Sequence, residues 1–555
     1  LEYRLQAECV ECELFRLKAV LQTLVFTPVH WSIKEGNIMA DTASLRRKIL
    51  SGERELSQAE LFNQASRAAA GFAALGIGAE DAVAIMLRND LPFFEASVAA
   101  NLLSAHAVPI NWHFQKEETA YILRDSRAKA LVIHADLLPQ VRAGIPEDVH
   151  TFIVPPPPEI RAAYSLTEEQ SAPPAGLTVW SEWVSRHEPQ PVLAAPPPSS
   201  MIYTSGTTGN PKGVRREPYN ETSIAKFTEM VALAFGFRPD DDFRTVITGP
   251  MYHSAPNAYG LYAAKNGGFC VLQSRFDPED LLRLIERYRI THLHMVPTMF
   301  VRLLKLPDDI RHKYALSSLQ FVVHAAAPCP ADVKRQMIEW WGPVINEYYG
   351  ATETGCVVFN TSEEALRKPG TVGRPLKDGI MRIYDDQGNV AGPNQIGEVY
   401  LRIKGFPDFT YNGRDDERRD IERDGLVTVG DMGYIDEDGY LFLCDRKRDM
   451  VISGGVNIYP AEIEAVLLAM PGVHDCAVFG IPDEEYGEAL CACIEPEPGV
   501  TLNADEMREY LGGRLARFKI PKVIEFLHNL PREDSGKIFK RKLRAPYWEK
   551  VGRQI

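Results

Sequence analysis

The sequence predicts an α/β protein. It would have a large N-terminal domain of layered, helix-covered sheets with a small barrel-like β subdomain, then a small mobile C-terminal α+β domain. Three patterns point there. From Ser57 to His324, short apolar runs alternate with helical periodicities, and such alternation builds parallel sheets covered on both faces. From about Gly370 to Leu443 the rhythm changes to short strands divided by turns. From about Arg448 onward the chain carries a compact helix and strand pattern of its own.

The elements follow in order. Ser57-Gln58-Ala59-Glu60 is a capping box that opens a helix through Leu75, and Gly76 and Gly78 stop it. Ala82–Leu87 reads as a buried strand, Phe93–Leu103 as a helix, and Ala107–Ile110 as a second strand. A helix over Glu117–Arg124 and a strand over Ala128–His134 come next. Residues 154–198 are broken by prolines at 155–158, 173–174 and 196–198, so they read as a loop-rich connector with a short helix over Val179–Val184. Further strands are expected at Arg244–Thr248, Phe269–Leu272, His292–Val296 and Leu319–His324. The turns Asp386-Gln387-Gly388, Asn394-Gln395-Ile396-Gly397 and Asp436-Glu437-Asp438-Gly439 punctuate the barrel-like part. The C-terminal part reads as helix 461–470, strands 476–480 and 489–495, helix 504–515 and strand 523–527. Domain bounds are placed at 39–447 and 448–555. Residues 1–38 are read as an extension or tag without assigned function, because Met39-Ala40-Asp41 looks like a natural start.

Composition narrows the partners. The chain has 555 residues and a formal net charge of −14, with a pI near 5.5. It shows no basic stripe for nucleic acid. The apolar run Ala19–Phe26 is too short to span a bilayer, and the nearby glutamates spoil a signal-peptide reading. Nine scattered cysteines without framework spacing suggest reduced thiols and a cytoplasmic protein. Cys9 and Cys12 form a lone CxxC, which argues against zinc.

The chemistry is concentrated in Tyr203-Thr204-Ser205-Gly206-Thr207-Thr208-Gly209-Asn210-Pro211-Lys212-Gly213. Glycines let successive backbone N–H groups turn one way, while hydroxyls and a cation add donors, so the stretch suits a polyphosphate. It is not a Walker A loop, since Pro211 precedes the lysine and Gly213 follows it. Instead it resembles the phosphate loop of the adenylate-forming superfamily: acyl-CoA synthetases, luciferases and peptide-synthetase adenylation domains. Asn346-Glu347-Tyr348-Tyr349-Gly350-Ala351-Thr352-Glu353-Thr354-Gly355 resembles the second signature of that superfamily. Val429-Gly430-Asp431-Met432-Gly433 resembles its ribose motif, with Thr428 where an aromatic is usual. The run 444–464, from Cys444 through Ser453-Gly454-Gly455 to Glu464, resembles the hinge and first C-terminal motif. Pro531-Arg532-Glu533-Asp534-Ser535-Gly536-Lys537-Ile538 resembles the catalytic-lysine loop, although Glu533 and Asp534 depart from it. The motifs come in family order and the resemblance covers about 39–545.

The resemblance implies the following roles. Thr204, Ser205, Gly206, Thr207, Thr208, Gly209 and Lys212 hold the ATP phosphates. Tyr349 stacks on adenine, beside Ala325 and Ala326, and Thr352 reaches the α-phosphate. Glu353, with Thr204, holds Mg²⁺. Asp431 and Arg446 hold the ribose, Arg448 is the hinge, and Gly454 and Gly455 wall the coenzyme A tunnel. Lys537, with Thr204 and Glu353, serves catalysis by bridging the substrate carboxylate and the α-phosphate. His253, His324 and Gly350 border the acyl pocket. The region Gly249-Pro250-Met251-Tyr252-His253 lacks the aspartate that pairs an α-ammonium, so a free amino acid is disfavoured. Lining candidates are mostly apolar, without Arg or Lys for a second carboxylate, which favours a hydrophobic monocarboxylic acid. The implied reaction is ATP-dependent acyl-AMP formation followed by thioester formation with coenzyme A. A carrier protein as acceptor and a non-catalytic nucleotide binder are the alternatives. Homodimers are common in the family.

Overall fold

The computed structural model describes residues 47–189, 198–204, 211–217, 219–237, 242–532 and 538–549. Among these, two sheets form the layered part expected from the alternating pattern. The first is a five-stranded, all-parallel sheet in the order His106–Pro109, Ala82–Met86, Ala128–His134, His150–Val154, Thr178–Val179. Every residue of Ala82–Met86 is buried. Val83 and Ile85 join the cluster containing Phe72 and Phe93, while Ala84 and Met86 join the one containing Ile122 and Leu131. A strand alternates its side chains across the sheet, so a strand with apolar residues at every position requires cover on both faces.

The second sheet has nine strands. Its order is Arg374–Pro375, Gly355–Asn360, Ile345–Ala351, Phe321–His324, His292–Met295, Arg244–Ile247, Phe269–Leu272, Lys48–Ser51, Arg54–Ser57. The centre is parallel, and antiparallel hairpins close both ends. The hairpin Lys48–Ser51/Arg54–Ser57 leads directly into the helix Gln58–Ala74, whose capping box at Ser57 and Glu60 is formed as expected. The proline-rich connector holds more helix than expected. Pro158–Tyr164 begins with proline, where the missing N–H costs nothing, and Thr167 caps Glu168–Ser171. The expected short helix there is Trp180–Ser185.

A small antiparallel sheet, Phe409–Tyr411, Lys212–Arg216 and Ile202–Thr204, bridges the layered part and the curled five-stranded sheet expected at 370–443. In that curled sheet, Leu426–Ile435 pairs with Gly397–Ile403, Glu422–Arg423 and Leu441–Arg446. The C-terminal sheet is built around the long hairpin Val473–Asp483/Gly487–Pro496, with Val523–Phe526 added in parallel. Its own core contains Ile463, Leu467, Val478, Ala492, Met507 and Leu511. Cys270, Cys329, Cys356, Cys444, Cys476, Cys491 and Cys493 are free thiols. No helix among the described residues is long and apolar enough to cross a membrane.

Candidate active site

A cleft of about 4490 Å³ runs from the layered sheets past the curled sheet to the C-terminal sheet. Its centre is built from the ends of strands. Thr204 closes Ile202–Thr204 and sits opposite Lys212 in register, so the two flank the polyphosphate-like stretch. Ser205, Gly206, Thr207, Thr208 and Gly209 lie outside the described residues. The hairpin is held from behind. Tyr203 Oη donates to Asp125 at 2.6 Å, and Tyr121 Oη donates to the Pro211 carbonyl at 3.1 Å. Desolvation and the Asp125 contact push the Tyr203 phenol up, so it stays a donor.

Glu353 reaches this hairpin from the second signature. Its Oε1 accepts from Tyr411 Oη at 3.1 Å and from Thr204 Oγ1 at 3.4 Å. The loop carrying it is clamped by Arg216, whose guanidinium donates to the carbonyls of Thr352 and Glu353 and lies 4.7 Å from the Phe406 ring. Burial lowers the Arg216 pKa from its ordinary value, yet arginine remains charged. Lys212 is buried, ion-paired with Glu417 at 2.5 Å and 4.9 Å from the Tyr411 ring centre. The lysine hydrogen bond holds the Glu417 carboxyl below the usual carboxylate range.

Tyr349, Asp431 and Arg446 meet on the opposite side. Asp431 and Arg446 are register partners on adjacent strands of the curled sheet. Arg446 Nε lies 3.4 Å from Asp431 Oδ1, and Tyr349 Oη donates to Asp431 Oδ2 at 2.7 Å. Burial first, and the Asp431 charge second, push the Tyr349 phenol well above its ordinary pKa. Thr428, where the family usually has an aromatic, makes polar contacts instead. It donates to Glu398 at 3.1 Å and accepts the Gly430 N–H at 3.0 Å. A small hydroxyl can therefore shape this turn without a ring.

Gly350 sits at a bulge between Ile345–Ala351 and Gly355–Asn360. A Cβ there would lie 1.8 Å from the Gly355 carbonyl oxygen, so no side chain fits. Gly350→Ala is expected to destabilise the protein by about 3 kcal/mol, read as a lower urea midpoint. An unchanged midpoint would show that the bulge can open without cost. Ala325 is buried, whereas Ala326 is exposed to the cleft at φ 72°. A left-handed non-glycine residue stores roughly 1–3 kcal/mol of strain, a cost met most often at functional sites. Thr352 Oγ1 donates to Ser254 Oγ at 3.0 Å, which joins the second signature to the helix Ser254–Lys265.

The two histidines expected at the acyl pocket differ. His253 precedes that helix, lines the cleft and packs 4.4 Å from the Tyr252 ring. His324 does not line the cleft. It is fully buried, 5.2 Å from the Phe300 ring, with Nδ1 3.8 Å from Glu347 Oε1. Burial, reinforced by Lys334 and His294, drives its pKa well below the ordinary value, so it is neutral. Strand alternation puts it on the sheet face opposite His294: its register partners are Met295 and Glu347, whereas His294 pairs with Val323. His294, one strand away, also lines the cleft, with Nε2 3.0 Å from Tyr348 Oη. Burial pulls His294 down to about 4, so it too is neutral at physiological pH.

Arg448 lines the cleft with Nε 4.0 Å from Asp449 Oδ1, and its carbonyl accepts from Arg544. Gly454 and Gly455 form the two-residue turn of the hairpin Val451–Ser453/Val456–Ile458, with φ of 57° and 80°. Two consecutive positive φ values define the hairpin turn that glycine favours. Lys537 lies outside the described residues. On either side of it, Arg532 and Ile538 form a bridge, and Arg532 is ion-paired with Asp475 and Glu495 at 2.6 and 2.5 Å. Sequence reasoning missed Arg216, Tyr411, Glu417 and His294. The pair Arg215-Arg216 directly after the glycine-rich stretch is the one local signal that could have drawn attention.

Comparison with known proteins places this geometry. The family model described as "AMP-binding enzyme" matches residues 39–406, and "AMP-binding enzyme C-terminal domain" matches 462–537. A feruloyl-CoA synthase from an Amycolatopsis species is 31% identical over 534 residues, covering 93% of this chain and 98% of the relative. A long-chain-fatty-acid–CoA ligase of Mycobacterium tuberculosis is 31% identical, covering 89% and 93%. The o-succinylbenzoate CoA synthetase of Bacillus subtilis, solved with its acyl-adenylate intermediate, superposes with a TM-score of 0.73 at 27% identity, covering 90% and 96%. The fold is thus a shared architecture, and the chain belongs to the AMP-binding enzyme family, the adenylate-forming superfamily, close to its acyl-CoA synthetases.

Proposed function

We propose that this enzyme is an ATP-dependent carboxylic acid–CoA ligase acting on a largely apolar acid, with its domain border near Arg448. The observation carrying this reading is the meeting, in one cleft, of the Thr204 and Glu353 oxygens 3.4 Å apart with the Asp431, Tyr349 and Arg446 cluster. The first set suits a metal–polyphosphate and the second a ribose diol.

In the first half-reaction a carboxylate oxygen of the acid attacks the α-phosphorus of ATP. The bond to the β-phosphate oxygen breaks, and pyrophosphate leaves with its electron pair. Two anions must meet, so the protein contributes position and positive charge rather than a nucleophile. Asp431 accepts from both ribose hydroxyls, and Arg446 and Tyr349 hold that carboxylate in place. Ala325 and Ala326, being small, let adenine lie close to the backbone beside Tyr349. Lys212 and the 204–212 stretch carry the β- and γ-phosphates, Thr352 donates to the α-phosphate, and Lys537 bridges that phosphate and the acid. The pair Thr204 and Glu353 fits Mg²⁺, which favours hard oxygens and keeps few protein ligands. Among the described residues there is no cluster of three or more His, Cys, Asp or Glu to cage a metal. Bound there with the phosphates, the ion would neutralise charge on the departing pyrophosphate.

In the second half-reaction the coenzyme A sulfur attacks the acyl carbonyl carbon, AMP leaves and the thiol proton passes to solvent. The C-terminal part turns about Arg448 to bring the Gly454-Gly455 turn to the tunnel. His253 and Gly350 border the acid. The relatives named above act on feruloyl, long-chain fatty and o-succinylbenzoyl acids, which supports a carboxylic acid but spans several shapes.

The test is turnover of a panel of acids with ATP, Mg²⁺ and coenzyme A, read as AMP, pyrophosphate and acyl-CoA. One acid class giving all three products supports the ligase. Adenylate without thioester would redirect the reading to another acceptor, and no adenylate from any class would overturn it.

A further inference from the structure

The helix Ser254–Lys265 is a ruler along the cleft. Most of its residues are buried in protein, but Ala255, Ala258, Tyr262 and Lys265 are only partly buried and line the cleft. Their spacings of three, four and three residues put them on one face. Ser254 starts the helix against Thr352, the residue assigned above to the α-phosphate. Eleven intervals later, at about 1.5 Å each, Lys265 stands roughly 16 Å away. Its ammonium is held by Asn101, which lines the same end of the cleft. Between the two ends the wall is aromatic. The Tyr262 ring lies 5.0 Å from Phe237 and 6.4 Å from Phe227.

A lysine at the end of an apolar channel needs an explanation. Lys265 Nζ donates to Asn101 Oδ1 at 2.6 Å, and among the described residues it meets no carboxylate. Asn101 is oriented for this, because its Nδ2 is spent on the Pro198 carbonyl at 3.2 Å. Burial lowers the lysine to about 8, which leaves it mostly protonated at neutral pH. Arg47 lines the same end and adds positive charge. An ammonium has three donors, and the amide uses one.

We infer that Lys265, held by Asn101, receives an oxygen acceptor carried at the far end of the substrate acid. The acid is thus apolar along its length and polar at both ends. Its two polar groups are separated by roughly 10–16 Å, the helix rise less the reach of the lysine. The shared chemistry is a hydrogen-bond acceptor, supplied by a keto oxygen or by a second carboxylate. A second carboxylate was disfavoured when no cation could be placed at the pocket, and Lys265 supplies one.

This inference rests on the acid–CoA ligase reading, and its test separates the two. Three straight-chain acids of equal length within that span are compared on the full-length enzyme. One is wholly apolar beyond its carboxylate, one carries a keto group near the far end, and one carries a terminal carboxylate. Binding is read by thermal shift with Mg-ATP, and turnover by pyrophosphate release. The native protein should prefer one or both oxygen-bearing acids about 10- to 100-fold in KM, with similar kcat. Preference for the keto acid alone names a carbonyl, and preference for the diacid names a second carboxylate. Lys265→Met should erase the preference while apolar-acid turnover stays near native, and Lys265→Arg should retain it. Equal handling of the three acids by the native protein, or an unchanged preference in Lys265→Met, overturns the inference and leaves the ligase reading standing. Selective binding without any turnover supports the inference and overturns the ligase reading.

Discussion

Lys537→Ala is expected to slow acyl-adenylate formation by roughly 10²- to 10³-fold while leaving thioester formation from supplied acyl-adenylate close to native. The asymmetry follows from charge. In the first half-reaction a carboxylate must approach a phosphate, and a cation between them is worth most as the transition state forms. In the second, a thiol attacks an already activated carbonyl and the repulsion is gone. Residues 532 and 538, on either side of Lys537 in the sequence, form a bridge, and Arg532 is anchored by Asp475 and Glu495 on the neighbouring strands. The bridge and the ion pairs of Arg532 do not involve Lys537, and an unchanged thermal midpoint of the variant would assign the loss to chemistry rather than folding. The measurement is pyrophosphate exchange beside single-turnover thioester formation from synthetic acyl-AMP. Equal losses in both would assign Lys537 to structure or to product release.

Much of the fold was legible because its elements are local. Ala128–His134 and Phe269–Leu272 occur where the apolar runs put them, and the Ser57 capping box marks its helix start to the residue. What escaped was pairing at long range. Lys48–Ser51 is a four-residue strand with a charged and a hydroxyl end, and its meaning comes from Phe269–Leu272 more than two hundred positions away. Lys212–Arg216 carries three cations and reads as loop, yet it is a strand because Ile202–Thr204 and Phe409–Tyr411 pair with it on both sides. The candidate site divides the same way. Thr204, Glu353, Asp431 and Arg446 are recognisable because each lies in a short motif. Arg216, Tyr411, Glu417 and Lys265 act through partners far along the chain, and neither spacing nor composition announces such contacts. His324 shows the converse: its place before the alanine run suggested the pocket, but it is buried against Phe300 on the sheet face opposite His294, which lines the cleft.

Glu353→Gln is expected to lower acyl-adenylate formation about 10²-fold and to raise the Mg²⁺ concentration needed for half-maximal rate. The substitution keeps size and one carbonyl oxygen. That oxygen can still accept from Tyr411 Oη and Thr204 Oγ1, and Arg216 contacts only backbone carbonyls of this loop. The thermal midpoint should therefore stay near native. What is lost is negative charge next to the Thr204 hydroxyl, the feature that makes this pair suited to a hard cation rather than to a bare phosphate. AMP binding, proposed above to rest on Asp431, Arg446 and Tyr349, should hardly change, so nucleotide affinity and metal dependence come apart in one variant. Parallel loss of AMP binding would mean that Glu353 chiefly supports the loop, and an unaltered Mg²⁺ requirement would remove it from the metal site. Tyr411→Phe is the matched control: it deletes the phenol donor, keeps the carboxylate, and should leave the Mg²⁺ dependence within about threefold of native.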